Sequence, residues 1–182
     1  MDYVLDGQCA RLLRNAGIDP SRLLRAAGLP GDALAGPRPV LAPAQHNALV
    51  EALRRLTGGA KGAIALATGE GVERFSPPVL AAYCADDALQ CLERLARYKP
   101  LIGPVRFMVE RDASAVGVVI TAEGEASPMP AFQVLVETAF LLGIIRSATG
   151  EPVNALAATM VEPPQGEDLE EMEEYLGCPL RA

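Results

Sequence analysis

Residues 131–149 read AFQVLVETAFLLGIIRSAT, the longest apolar run in the chain. At ~100° per residue, Phe132, Leu135, Val136, Ala139, Leu142 and Gly143 line one side, while Val134, Leu141, Ile144 and Ile145 line others, so the spacing predicts a helix that is apolar almost all round. Such a helix is buried in a core or in a bilayer. A bilayer span needs roughly 20 apolar residues, and this run is marginal in length and carries Gln133, Glu137 and Arg146. It therefore reads as a core helix around which the rest of the chain packs. Pro128 and Pro130 suit its beginning, where missing amide protons cost little, and Gly150 with Pro152 gives a stop.

Its polar residues are where function could reside. Gln133 and Glu137 stand four apart and share a face, whereas Glu137 and Arg146 are nine apart and lie half a rotation from each other. They cannot pair within the helix. A carboxylate in an apolar core costs several kcal/mol unless it is hydrogen-bonded or paired, so Glu137 requires a partner from another element: a structural arginine or a ligand.

Working outward, residues 3–16 place Val4, Leu5, Leu12 and Leu13 at helical spacing before Gly17. Asp19-Pro20-Ser21 supplies a cap with proline just inside a second short helix, stopped at Gly28. Residues 29–43 contain four prolines and read as loop with one extended piece. Pro43 opens a helix through Arg55, with His46 in its first turn, expected at the surface or hydrogen-bonded. Short helices are predicted over 60–68 and 79–84. Asp87 and Gln90 form a capping box before Leu92, Leu95 and Tyr98. After Lys99-Pro100 the period changes from 3.6 to 2. Val105, Phe107 and Val109, then Val116, Val118 and Ile120, mark two strands joined at Asp112-Ala113-Ser114 as an antiparallel hairpin. A further strand over 156–161 and an acidic helix over 167–176, with Leu169, Met172 and Leu176 inward, complete the chain. The fold class is α+β: helices packed on a small mixed sheet that contains the hairpin, in one domain over 1–182.

Composition narrows the function. The net charge is −7, and residues 151–182 hold eight acidic groups and one basic group. A nucleic-acid binder needs a basic surface to displace counterions, and beyond Arg54-Arg55 there is no such cluster, so the chain alone is not expected to bind DNA. Cys9, Cys84, Cys91 and Cys178 lack CxxC spacing and stand beside one histidine, which indicates buried free thiols rather than a zinc site or disulfides. Nucleophile-elbow, phosphate-loop, dinucleotide and metalloprotease motifs are absent, so no catalytic residue, metal ligand or cofactor is expected. No basic-then-apolar leader opens the chain, which predicts a cytoplasmic protein with no membrane partner. Six carboxylates in the last helix read as a solvated face.

Four stretches, in order, carry a resemblance: Leu12 to Pro20 (LLRNAGIDP), the capped helix from Asp87 to Arg97-Tyr98, the central helix with Glu137 and Arg146 before Thr149-Gly150, and Tyr175 to Leu180 (YLGCPL). Together the chain resembles the N-terminal effector domain of AraC-type transcription regulators, of the ornithine-utilisation class, also called the arabinose-binding-like N-terminal domain. The resemblance implies a ligand-sensing domain that binds a small-molecule effector, forms a homodimer, and controls DNA binding through a C-terminal helix-turn-helix domain that this sequence lacks. Phe75, Tyr83, Tyr98, Arg106, Met108 and Glu137 are the candidate pocket residues, since aromatic walls with a few polar groups suit a small molecule. Core packing is the alternative for each aromatic, and a solvated strand position the alternative for Arg106. The alternative function is a ligand-free dimerisation or protein-interaction module.

Overall fold

The computed structural model describes residues 2–69, 76–123 and 128–182. Its centre is helix α7, Ala131–Thr149, the full length of the apolar run. Proline at 130 opens the helix, and Gly150 closes it in the left-handed conformation at φ 68°, its amide donating to the Arg146 carbonyl. That φ is one that only glycine adopts without cost.

Before α7 the chain runs β1 (Tyr3–Val4), α1 (Cys9–Asn15), α2 (Pro20–Ala26), β2 (Val40–Leu41), α3 (Pro43–Thr57), α4 (Ala60–Ala67), α5 (Pro77–Tyr83) and α6 (Ala88–Tyr98). A 3-10 turn, Lys99–Leu101, leads into β3 (Val105–Arg111) and β4 (Val116–Ala122). After α7 come β5 (Ala158–Thr159), α8 (Glu167–Leu176) and β6 (Leu180–Arg181). The class is α+β, and among the described residues the strands are divided among three two-stranded ladders rather than gathered in one mixed sheet. The ladders β1–β2 and β3–β4 are antiparallel, and β5–β6 is parallel.

The hairpin forms as its alternation predicts. Val105 pairs with Ala122 and Arg111 with Val116, and the register is unbroken between them. At the turn, Asp112 Oδ1 accepts from the amides of Ser114 at 2.6 Å and Ala115 at 2.8 Å. A side chain that mimics a backbone turn in this way is why aspartate suits the position. The capped helix is equally local: Asp87 accepts from the Gln90 amide at 2.7 Å, and Gln90 Oε1 accepts from the Asp86 amide at 3.1 Å.

Among the described residues three apolar clusters make the core, and α7 enters two of them. Phe132, Leu135 and Leu142 pack with Val50, Ala63, Met172, Leu176 and Leu180. Ala139, Phe140 and Ile144 pack with Val79, Cys91, Leu95, Val105 and Phe107. The third cluster, around Leu13, Leu23, Leu24, Leu41 and Leu49, belongs to the N-terminal helices and α3. A helix that serves two cores must be apolar on both sides, which accounts for the composition of the run.

Two expectations need correction. Residues 3–16 do not make one helix: Tyr3–Val4 pair with β2, and a turn at Gly7-Gln8 precedes α1. Gly7 lies so close to the Pro37 backbone that a Cβ there would clash, so the chain bends at 7 to dock on the proline-rich loop. The strand predicted over 156–161 shrinks to Ala158–Thr159, and Leu156 and Val161 stand 85% and 98% exposed. Its partner β6 is two residues long, so little ladder is available.

Candidate functional site

Glu137 is buried at 8% exposure, and Lys99, also buried, places Nζ 2.6 Å from its Oε2. The sequence left a structural arginine or a ligand open as the partner; the partner within the chain is a lysine. On α7, Gln133, Glu137, Phe140 and Ile144 fall within about 60° of one another at 100° per residue, and all four are buried. Glu137 therefore faces the cluster shared with α6 and β3. The Lys99 ammonium lies 4.7 Å from the ring centre of Phe140 and 5.4 Å from that of Phe107. Aromatic faces carry partial negative charge and attract a cation, most strongly when it is removed from water.

Each contributor is delivered by a separate local rule. Lys99 opens the 3-10 turn that follows α6, one residue past the helix end, so its stem turns inward. Phe107 is on the inward face of β3, between the outward Arg106 and Met108. Phe140 is one turn beyond Glu137 on the same helix. The result is a buried ammonium and carboxylate with two aromatic walls, neutral overall and held by three elements: the 3-10 turn, β3 and α7. Elsewhere, the Ser76 hydroxyl at the start of α5 is buried without a hydrogen-bond partner among the described residues.

The six residues chosen from the sequence do not all converge here. Glu137 lies at the centre. Arg106 and Met108 are exposed on the opposite face of the hairpin, where Arg106 meets Glu123 at 3.4 Å. Tyr83 is exposed at the end of α5. Tyr98 is half-buried, its ring 5.6 Å beneath the Arg97 guanidinium. Phe75 lies outside the described residues. Lys99, Phe107 and Phe140 were missed. The signal for Lys99 was slight: it is one of two lysines against fourteen arginines, set between an amphipathic helix and a proline.

Arg146 builds a second polar centre. Its Nε donates to the Val153 carbonyl at 2.7 Å, and Nη2 donates to the Tyr175 carbonyl at 2.8 Å and Asn154 Oδ1 at 3.1 Å. The guanidinium stacks 4.7 Å over the Tyr175 ring, whose hydroxyl donates to the Ala139 carbonyl at 3.0 Å. Burial pushes the Tyr175 hydroxyl pKa up, against the pull of Arg146. Beside this knot an open groove of about 430 Å³ is lined by Lys61, Ile64, Arg146, Glu171, Glu174 and Tyr175.

Other sequence expectations shift with burial. His46 is buried, not at the surface, edge-on to Tyr3 at 5.1 Å, and Nδ1 finds no hydrogen-bond partner among the described residues. Burial lowers its pKa, and the neighbouring Asn47 side chain opposes the shift. All four cysteines are free; Cys91 and Cys178 are buried as expected, Cys9 is half-buried and Cys84 is exposed. Burial pushes the Cys91 thiol up to about 11, which keeps it unreactive at neutral pH. Among the described residues no group of histidine, cysteine and carboxylate side chains could hold a metal ion.

The class is thus an α+β domain whose central helix carries a buried, aromatic-walled ion pair. Residues 17–182 match the arabinose-binding domain of AraC transcription regulator, N-term, and the chain belongs to that family. The family is one of regulatory, ligand-binding domains and is not an enzyme family. A comparison with curated proteins finds none that matches.

Proposed function

We propose that this chain senses a small-molecule effector and, as a homodimer in the cytoplasm, governs how a helix-turn-helix domain of the same regulator is presented to DNA. The family match over residues 17–182 carries this reading. The buried Lys99–Glu137 pair supports it physically. Charges inside a core are often neutral to stability, or unfavourable, relative to apolar residues of the same size, so a core that keeps such a pair gains something other than stability from it. A polar effector that exchanges hydrogen bonds with either partner binds one arrangement of α6, the turn and α7 better than another, and the population shifts in proportion to that difference. The acidic balance of the chain supports placing DNA contact in another domain.

Native mass spectrometry of the freshly purified chain, followed by thermal-shift titration with whatever small molecule co-purifies and with sugars and amino acids, tests the proposal. A ligand at 100 times its Kd adds about 2.7 kcal/mol. Binding that survives unchanged in Glu137→Gln and Lys99→Met would place the effector elsewhere, with the groove beside Arg146 next in line.

A further inference from the structure

We propose that the outer edge of β4 is the surface on which two copies of this chain pair, strand against strand, about a two-fold axis at Val119. The inference needs no effector and stands apart from the site in the core.

The ladder shows which backbone groups are spare. Asp112 N–H donates to the Ala115 carbonyl at one end and Glu123 N–H to the Pro104 carbonyl at the other. Antiparallel pairs alternate between hydrogen-bonded and non-hydrogen-bonded. The register then turns the N–H and C=O groups of Gly117, Val119 and Thr121 toward β3, and those of Val116, Val118, Ile120 and Ala122 outward. Among the described residues, no other backbone takes up these outward groups. The substantial neighbours of β3 include α6 and the 3-10 turn, whereas among the described residues the substantial neighbours of β4 are its partner β3 and α7.

Proteins protect an open edge with charge, proline or a bulge. Val116–Ala122 reads VGVVITA, with neither charge nor proline, and its seven pairs with β3 run without a bulge. A second copy fits this edge. An axis at Val119, normal to the sheet, sets Val116 opposite Ala122 and Val118 opposite Ile120 of the other copy. All seven residues overlap, and the outward groups meet outward groups. Exposed Val119 then stands against its own copy, with exposed Met108 behind each, to give one apolar row across four strands. On each flanking row Glu110 of one copy shares a line with Arg106 of the other, so no like charges meet. A lone two-stranded ribbon is marginal, and four strands are not.

The test is sedimentation velocity of the chain over a concentration series, with amide hydrogen exchange in parallel. The expected result is a dimer in which Val116, Val118, Ile120 and Ala122 are protected. Val119→Lys and Val119→Glu, each at an exposed side chain the fold does not need, are each expected to give monomers with those four amides exchanging. An equimolar mixture is expected to restore the dimer, because opposite charges then meet at the axis. A monomeric parent chain, a dimer that survives Val119→Lys, or a mixture that stays monomeric would each overturn the proposal.

Discussion

Glu137 and Lys99 each leave water for a core that offers one opposite charge and two aromatic faces, so neither can lose its partner cheaply. Glu137→Ala strands a buried ammonium and is expected to cost about 3–5 kcal/mol in a denaturant melt. Lys99→Met with Glu137→Leu together should recover most of that loss, since an apolar pair of similar volume often replaces a buried ion pair without penalty. A double variant as unstable as the single one would show that the charges themselves hold α6 to α7. His46 sets a pH dependence of definite sign. Burial lowers its pKa below the unfolded value of about 6.5, so the unfolded chain binds more protons in that window. Its contribution is fully present above about pH 6.5 and is lost as pH falls through the window below, with a slope of at most ~1.4 kcal/mol per pH unit. Melts from pH 7.5 to 5 should show this slope, and His46→Gln should flatten it.

At the scale of elements, the acidic helix α8 does more than present a solvated face. Asp168 Oδ1 accepts from the Ala60 amide at 2.7 Å and so caps α4 from across the fold, while Glu173 accepts from the Leu180 amide at 2.8 Å and holds β6. Nothing in the local pattern of α4 announces this, because a cap is sought in the residue just before a helix and Gly59 has no side chain. Gly59 instead leaves room for that carboxylate: a Cβ there would push the Asp168 side chain out of its capping position. Asp168→Ala is expected to lose about 1 kcal/mol, the usual worth of an N-cap, and Gly59→Ala to lose at least as much. If Asp168→Ala is neutral by thermal melt, water serves the α4 terminus equally well. The hairpin and α6, by contrast, were readable because their determinants, Asp112 and Asp87, act on neighbours two or three residues away.

Across the whole molecule, Arg146 is the joint between the central helix and the C-terminal elements. Its three hydrogen bonds and its stacking on Tyr175 tie α7, the segment at 153–154 and α8 together. Arg146→Lys keeps the charge but cannot reproduce a planar fork that bonds and stacks at once. It is expected to cost about 1–3 kcal/mol, the penalty for leaving half-buried carbonyls unsatisfied. The amides of α8 should also exchange faster than those of α5 and α6. Uniform acceleration across the chain would mean that Arg146 contributes to global stability alone. Because α8 carries Met172 and Leu176 into the same cluster as Phe132 and Leu142, loosening this joint also opens the core beside the groove at Lys61 and Glu171.

The sequence by itself determined the central helix to its ends, the hairpin with its turn, the capped α6, the acidic α8, the α+β class and the family, and it marked Glu137 as a carboxylate in want of a partner. Each of these rests on periodicity, on contacts a few residues apart or on motifs in order, and such information is written along the chain. Only the tertiary structure decided that the partner is Lys99, that Phe107 and Phe140 wall the pair, that His46 is buried, and that Asp168 caps a helix 108 residues away. Those choices depend on which elements meet across the core. A lone lysine, a phenylalanine or an aspartate has the same local pattern whether it faces solvent or a neighbour folded against it.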